Sequence, residues 1–254
     1  MNPAISIKTV LVRPRNSLNV GAAARAMANF GLSELALVDP YEPTWDAVVS
    51  AVGAEEIIKN ARLHKTVEEA VADCHLVLAT TAGQRRMPDR DVVLLDTAAE
   101  FIEKRARPGI FKTAVLFGSE KTGLTNEHIA FSHALLNIPT YPGQPSMNLG
   151  QAVAVTCYEL SKTSGRTRAL TRAGGSAAVT VADIERLARD INRVFRLTSI
   201  ESGAREETRL KRIRRVLFEL NLSYDGLKYA RSLASKIQAR LDSIEKAANE
   251  PESA

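Results

Sequence analysis

The sequence predicts an α/β protein, a parallel sheet with helices on both faces, followed by a small all-α module. Three observations predict it. Short apolar runs of strand type alternate with helical patterns up to about residue 161, as happens when strands are buried on both faces. Residues 164–180 then turn to Gly, Ser, Thr, Arg and Ala with no apolar period. Beyond them the spacing is helical only. The chain therefore divides into residues 1–164, a linker at 165–180 and a helical extension at 181–254.

Taken in order, Thr9-Val10-Leu11-Val12 is a strand ended by Arg13-Pro14, and the alanine-rich stretch 20–30 has high helix propensity. Gly31 suits the left-handed position after that helix. Leu35-Ala36-Leu37-Val38 reads as a second strand ended by Asp39-Pro40. A helix within 45–60, a short strand at 61–64, a helix at 67–74 and a strand at 75–80 continue the alternation. A basic loop, 84–90, leads to a helix at 97–104, a strand at 113–117, a short helix opened by Thr125, a strand at 134–138 and a long helix from Leu149 to about Ser161. In the extension, Thr180-Val181-Ala182-Asp183 has the form of a capping box with Asp in place of Glu or Gln. Ile184, Leu187, Ile191 and Val194 keep helical spacing after it, and two more helices are predicted at 205–220 and 225–247.

Apolar residues make up 45% and charged residues 25% of the chain, ordinary proportions for a globular protein, and no window approaches the 18 or so apolar residues of a membrane span. The N-terminus lacks a basic segment followed by an apolar one. A cytoplasmic protein with no membrane contact is expected. Cys74 and Cys157 have no C-x-x-C spacing, and His64, His75, His128 and His133 form no ligand pattern, so neither a disulfide nor a metal site is expected. Charge is unevenly placed. Residues 1–164 carry 16 Lys+Arg against 17 Asp+Glu, net −1, whereas residues 165–254 carry 18 against 12, net +6. A phosphate-binding surface requires such a concentration.

Three segments carry the chemistry. Asn19-Val20-Gly21-Ala22-Ala23-Ala24-Arg25 opens the first helix; Phe117-Gly118-Ser119-Glu120-Lys121-Thr122-Gly123-Leu124 follows one strand; Ile138-Pro139-Thr140-Tyr141-Pro142-Gly143-Gln144-Pro145-Ser146-Met147-Asn148-Leu149 follows another. The two glycine turns should lie at the carboxyl ends of neighbouring strands, where open α/β sheets bind ligands. Read alone, Gly21 is a tight turn, Arg25 a solvated helix residue and Glu120 an exposed charge. A guanidinium at Arg25 aimed at the crevice would instead grip a phosphate bidentately. Missing its Cβ, Gly118 lets a ligand approach backbone. Either Ser146 or Asn148 suits the cap of the helix at Leu149. The Gly118–Gly123 stretch lacks the G-x-x-x-x-G-K-[ST] order of a phosphate loop, and no G-x-G-x-x-G follows the first strand. Ordinary nucleotide-binding Rossmann enzymes are disfavoured.

In that order, over about residues 8–162, the three segments resemble motifs 1, 2 and 3 of the SPOUT class of RNA methyltransferases, specifically the TrmH-like 2′-O-methyltransferases. The resemblance implies a deep trefoil knot in the C-terminal part of the α/β domain, an S-adenosyl-L-methionine cofactor and a homodimer. It implies a cofactor site lined by Thr80, Thr81, Ala82, Gly118, Ile138, Pro145, Ser146, Met147 and Leu149. Its catalytic set would be Arg25, Asn19, Glu120, Ser146 and Asn148. The matching arginine is assigned in the family to RNA backbone binding and to activation of the ribose hydroxyl. A side chain whose pKa exceeds about 12 favours phosphate anchoring. Arg85 and Arg86 in the basic loop, and Arg209, Arg212 and Arg215 in the extension, are the further RNA-binding candidates; a solvated face is the plain alternative for both groups. The helical extension resembles the TrmJ branch of the family, whose members methylate the ribose at position 32 of the tRNA anticodon loop. Ribosomal RNA as substrate, and a non-catalytic RNA-binding protein of the same fold, are the alternatives.

Overall fold

A computed structural model describes residues 4–41, 51–82, 90–166, 178–198 and 206–249. Seven strands, β1 (Ala4–Val12), β2 (Glu34–Val38), β3 (Arg62–His64), β4 (Leu76–Thr81), β5 (Val92–Leu94), β6 (Ile110–Phe117) and β7 (Ala134–Asn137), form one sheet in the order β3-β2-β1-β6-β4-β7-β5. Every pairing in it is parallel. The helices are α1 (Ser17–Asn29), α2 (Glu55–Lys59), α3 (Val67–Val71), α4 (Ala98–Arg105), α5 (Asn126–Ile129), α6 (Leu149–Arg166), α7 (Val181–Thr198), α8 (Glu206–Leu220) and α9 (Tyr224–Asn249).

Alternation along the strands explains the two-sided burial. Ile7, Leu11, Leu35, Leu37, Leu76, Leu78, Val115 and Phe117 point to one face and pack with α1, α4 and α6. Their sequence neighbours Val10, Val12, Ala36, Val38, Val77, Ala79, Ala114 and Leu116 are also buried, on the opposite face. Lys8, on that second face, reaches Ala70 O of α3 at 3.2 Å. Against the first face, α1 and α6 approach closely: a Cβ on Gly150 would come within 2.8 Å of Ala22 Cβ. The expected Gly31 terminator is present, with φ +70° and the Leu32 N–H donating to Met27 O at 2.9 Å.

Three expectations need correction. The first strand begins at Ala4 rather than Thr9, because its polar first half, with Ser6 and Lys8, is paired with β6 from Ala4↔Ile110 onward. β5 was not predicted; it is a three-residue edge strand whose Val92 and Leu94 are exposed, too short to show a period. The two glycine turns do follow strand ends, those of β6 and β7, but β4 lies between them, so the strands are not neighbours. Strand one and the Gly118 turn, by contrast, are adjacent through the β1–β6 ladder. Of the helix predicted within 45–60, α2 is described and residues 42–50 lie outside the described residues.

Several polar groups along the sheet are satisfied in two ways, whereas the buried Thr113 hydroxyl of β6 has no hydrogen-bond partner among the described residues. His75 Nδ1 accepts from Lys112 N at 2.9 Å and His133 Nδ1 accepts from Val77 N at 3.0 Å, each capping a strand end. Burial pushes the His133 imidazole down to about 3, so it stays neutral and keeps that acceptor. Lys8 and Lys112 both donate to Asp73, the latter at 3.0 Å, and Lys112 also lies 3.5 Å from Glu34, which accepts from Ser6 Oγ at 2.9 Å. Burial opposes ionisation of Asp73, but the two ammonium groups outweigh it and hold the carboxyl far below the usual range.

The chain separates into two compact units, residues 1–181 and 182–254. The end of the predicted linker and the first residue of the predicted extension are held in the first unit: Ala178 packs on the first core, and the Val181 N–H donates to Cys74 O at 2.8 Å. In the second unit Ile184, Leu187, Leu217, Phe218, Leu227 and Ala234 are buried. Buried with them, Glu185 accepts from Arg214 Nε at 2.6 Å, and Asn192 accepts from Arg209 Nε at 2.6 Å. No described helix is long and apolar enough to cross a membrane.

Because Lys8 is buried and Asp73 half-exposed, Asp73→Ala should cost about 2 kcal/mol, less than the loss of a partner in a fully buried pair. The sign with pH follows from the lowered carboxyl: its stabilisation is present above the ordinary Asp pKa of about 4 and is lost as pH falls through lower values. Urea unfolding of both proteins from pH 7 to pH 3 should show the gap narrowing toward pH 3.

Candidate functional site

The described strands run β1-β2-β3 toward one edge and place β4, β7 and β5 toward the other, with β6 between β1 and β4. At such a reversal of strand order the loops at the carboxyl ends diverge and leave a crevice. A cavity of about 500 Å³ opens at the carboxyl ends on the β6 side of that reversal, walled by the ends of β4, β6 and β7 and by the start of α6. Thr80, Thr81, Ala82, Gly118, Ile138, Pro145, Ser146, Met147 and Leu149, all expected from the sequence, line it. Leu124, Thr140 and Ala152 line it too and were not anticipated. Their signal lay in flanking positions of the same two turns.

Both turns are fixed by their own bonds. Ser119 O accepts from Gly123 N at 2.8 Å, closing the first turn with Gly123 at φ +65°. Gly118 lines the cavity, and the chain itself adds a reason for glycine that the sequence does not show: a Cβ there would sit 2.2 Å from Gly123 C and 2.3 Å from Leu124 N. The missing side chain lets the turn close on itself. In the second, Thr140 Oγ1 donates to Pro145 O at 3.2 Å and Gln144 N to Tyr141 O at 2.8 Å. Thr80 Oγ1 donates to Leu116 O at 2.9 Å, tying the end of β4 to β6.

A line of hydrogen bonds joins the three sequence motifs. Asn148 Oδ1 accepts from Gln151 N at 3.3 Å, which caps α6 and leaves its amide nitrogen pointing away. That nitrogen donates to Asn19 Oδ1 at 3.0 Å, and Asn19 Nδ2 donates to Glu120 Oε1 at 2.8 Å. Glu120 also accepts from Arg15 N at 3.0 Å and Asn16 N at 3.3 Å. Burial raises the Glu120 pKa, but the Asn19 amide and the backbone N–H groups outweigh it and bring the carboxyl below its ordinary value. Glu120 is therefore a carboxylate at neutral pH, and it lines the cavity. Asn19 and Asn148 stand behind it and are absent from the lining. Arg15 and Asn16 were missed, although Asn16 is the N-cap of α1, accepting from Leu18 N at 2.8 Å.

The arginines separate. Arg25 is exposed in the third turn of α1, and it does not line the cavity. Arg85 and Arg86 lie outside the described residues. In α8 the basic cluster divides by helical phase. Arg209, expected on a docking surface, is buried because Asn192 binds it from within, and Arg214 is buried on Glu185. Arg212 is exposed, and Arg215 is partly exposed and pairs with Glu219 at 2.9 Å. Among the described residues there is no group of three or more His, Cys, Asp or Glu able to hold a metal.

The chain is similar to several known proteins. The model of the SpoU rRNA Methylase family matches residues 6–158. A Pseudomonas aeruginosa protein named tRNA (cytidine/uridine/adenosine-2'-O-)-methyltransferase TrmJ is 41% identical over 155 residues, 61% of this chain and 60% of that one. A Sodalis glossinidius protein named tRNA (cytidine/uridine-2'-O-)-methyltransferase TrmJ is 33% identical over 200 residues, 78% of this chain and 75% of that one. The matched stretch thus spans only about three-fifths of the Pseudomonas aeruginosa relative. The crystal structure of TrmJ from Z. mobilis ZM4 superposes with a TM-score of 0.77 at 29% identity, covering 92% of this chain and all of that one.

Glu120→Ala removes the shared acceptor of three donors. Water reaches this rim, so the expected loss is about 1 kcal/mol, well short of the penalty for orphaning buried groups. A lower urea midpoint with unchanged slope would show it; an unchanged midpoint would show that the carboxylate does not hold the turns.

Proposed function

Because the chain belongs to the SpoU rRNA methylase family through residues 6–158, we propose that it is an S-adenosylmethionine-dependent ribose 2′-O-methyltransferase acting on tRNA, at position 32 of the anticodon loop. One observation supports this most: Asn19, Glu120 and Asn148, distant in sequence, are joined by hydrogen bonds beside a single cavity at the strand ends. The names of the Pseudomonas aeruginosa and Sodalis glossinidius relatives support tRNA over ribosomal RNA.

The cavity suits the cofactor on physical grounds. Its volume of about 500 Å³ is that of a small-molecule site, its wall is apolar at Leu124, Ile138, Met147 and Leu149, and hydroxyls stand at Thr81 and Ser146. When bound there, S-adenosylmethionine supplies an electrophilic methyl carbon. The chain's own task is alignment. Glu120, ionised and saturated with donors, holds the Gly118–Gly123 turn against α1 and places negative charge at the cavity edge. Asn19 and Asn148 act as positioning residues, since their amides are spent on one another, on Glu120 and on the helix cap. Ser146, exposed on the lining, is the side chain left to meet the ribose hydroxyl or the cofactor. Arg25 anchors an RNA phosphate. In the second unit Arg212 and Arg215 remain as phosphate contacts.

The trefoil knot and the homodimer belong to the same reading. The placement of β7 between β4 and β5, followed by the return of α6 to α1, supports the knot.

Purified protein given unmodified tRNA and methyl-labelled cofactor should label the 2′ position of nucleotide 32. Label confined to ribosomal RNA, on a base, or nowhere would contradict the proposal. Arg25→Ala should cut transfer by about tenfold to a hundredfold while cofactor affinity by calorimetry stays at the wild-type value, and Arg25→Lys should rescue poorly. Gly118→Ala should weaken cofactor binding by about tenfold or more, because the added carbon meets backbone rather than a movable side chain.

A further inference from the structure

Beside the cavity, at the ends of β1 and β2, the chain builds a second feature that the reaction just described does not use. Arg15 places its guanidinium 4.6 Å from the centre of the Tyr41 ring, and Tyr41 is 60% exposed. Both residues are held by their backbones. Tyr41 N donates to Pro14 O at 3.1 Å, and Arg15 N donates to Glu120 Oε2 at 3.0 Å. The turns leading to them are strained. Arg13 (φ +52°) and Asp39 (φ +43°) are non-glycine residues in the left-handed region, tied to each other by an ion pair of 3.2 Å, and the Arg13 N–H also donates to Val38 O at 2.8 Å. Costly backbone of this kind persists where the surrounding structure needs a fixed placement.

We propose that Tyr41 and Arg15 form a stacking shelf for one unpaired base of the substrate RNA, directly beside Glu120. This rests on the RNA-methylation reading and adds a positioning site to it. A flat aromatic ring and a planar guanidinium are the two surfaces on which splayed-out single-stranded bases stack. The neighbouring charges permit it. Asp39 is neutralised by Arg13, and the Glu120 carboxylate is occupied by Asn19, Arg15 and Asn16, while Arg15 adds positive charge to receive the backbone of the same strand. Because the Arg15 amide is bonded to the carboxylate that lines the cavity, the shelf begins next to the place of methyl transfer. It would receive a nucleotide adjoining the target.

The test measures tRNA affinity by fluorescence anisotropy at several salt concentrations for wild type, Tyr41→Phe, Tyr41→Ala and Arg15→Lys, with cofactor affinity and melting temperature as controls. Tyr41→Ala should weaken tRNA binding about tenfold with an unchanged salt slope, since a stack neutralises no phosphate. Tyr41→Phe should stay within about twofold of wild type. Arg15→Lys keeps the charge but loses the plane and should fall between them. Cofactor affinity and melting temperature should not move. Wild-type affinity in Tyr41→Ala, an equal loss in Tyr41→Phe, or a loss that tracks the melting temperature would overturn the shelf, as would a wild type that does not bind tRNA. A wild type that binds tRNA with this dependence on Tyr41 but transfers no methyl group would overturn the methylation reading and leave the shelf standing.

Discussion

The architecture of the site depends on the direction of one line of hydrogen bonds, from the N-terminus of α6 through Asn148 and Asn19 to Glu120. An amide side chain has an accepting and a donating end, so a chain of amides needs its polarity set from outside. Both ends set it here. The backbone N–H of Gln151 takes the oxygen of Asn148, and the acceptor-only carboxylate of Glu120 takes the nitrogen of Asn19. The middle bond, Asn148 to Asn19, then has only one possible sense. Three segments that span about half the sequence are thereby held in one arrangement, and each member has a partner for both of its polar ends.

Packing makes that line possible. The absence of a side chain at Gly150 lets α6 lie against Ala22 of α1, which brings Asn148 within reach of Asn19. The absence of one at Gly118 lets the turn fold onto Gly123 and Leu124, which brings Glu120 back toward the start of α1. The β1–β6 ladder, continuous from Ala4↔Ile110 to Leu11↔Phe117, fixes the height of both loops above the sheet. The cavity is what remains between these loops and the end of β4. Its lining is therefore a consequence of backbone closure as much as of side-chain choice.

Much of this was legible in the sequence. The buried strands show as apolar runs because both their faces are covered, and the cavity-lining residues were readable because motif order carries over through shared backbone conformation. What escaped has physical reasons. Ser6 and Lys8 interrupt the apolar run of β1, and only a three-dimensional partner, Asp73 for Lys8 and Glu34 for Ser6, makes them strand residues. β5 is three residues long and half-exposed. The inward turn of Arg209 and Arg214 is invisible in a basic helix, since the decisive partners, Asn192 and Glu185, lie on another helix. At Gly118 the sequence shows only a turn open to a ligand; the obstacle set by the chain itself, five and six residues on, needs the three-dimensional closure.

If Asn19 and Asn148 act as one unit in positioning the site, a double-mutant cycle on kcat/KM for methyl transfer to tRNA, with Asn19→Ala, Asn148→Ala and the pair together, measures it directly. The double variant should lose little more than the worse single variant, a coupling on the order of 1 kcal/mol. Losses that simply add would show that the two amides act separately, and would contradict it.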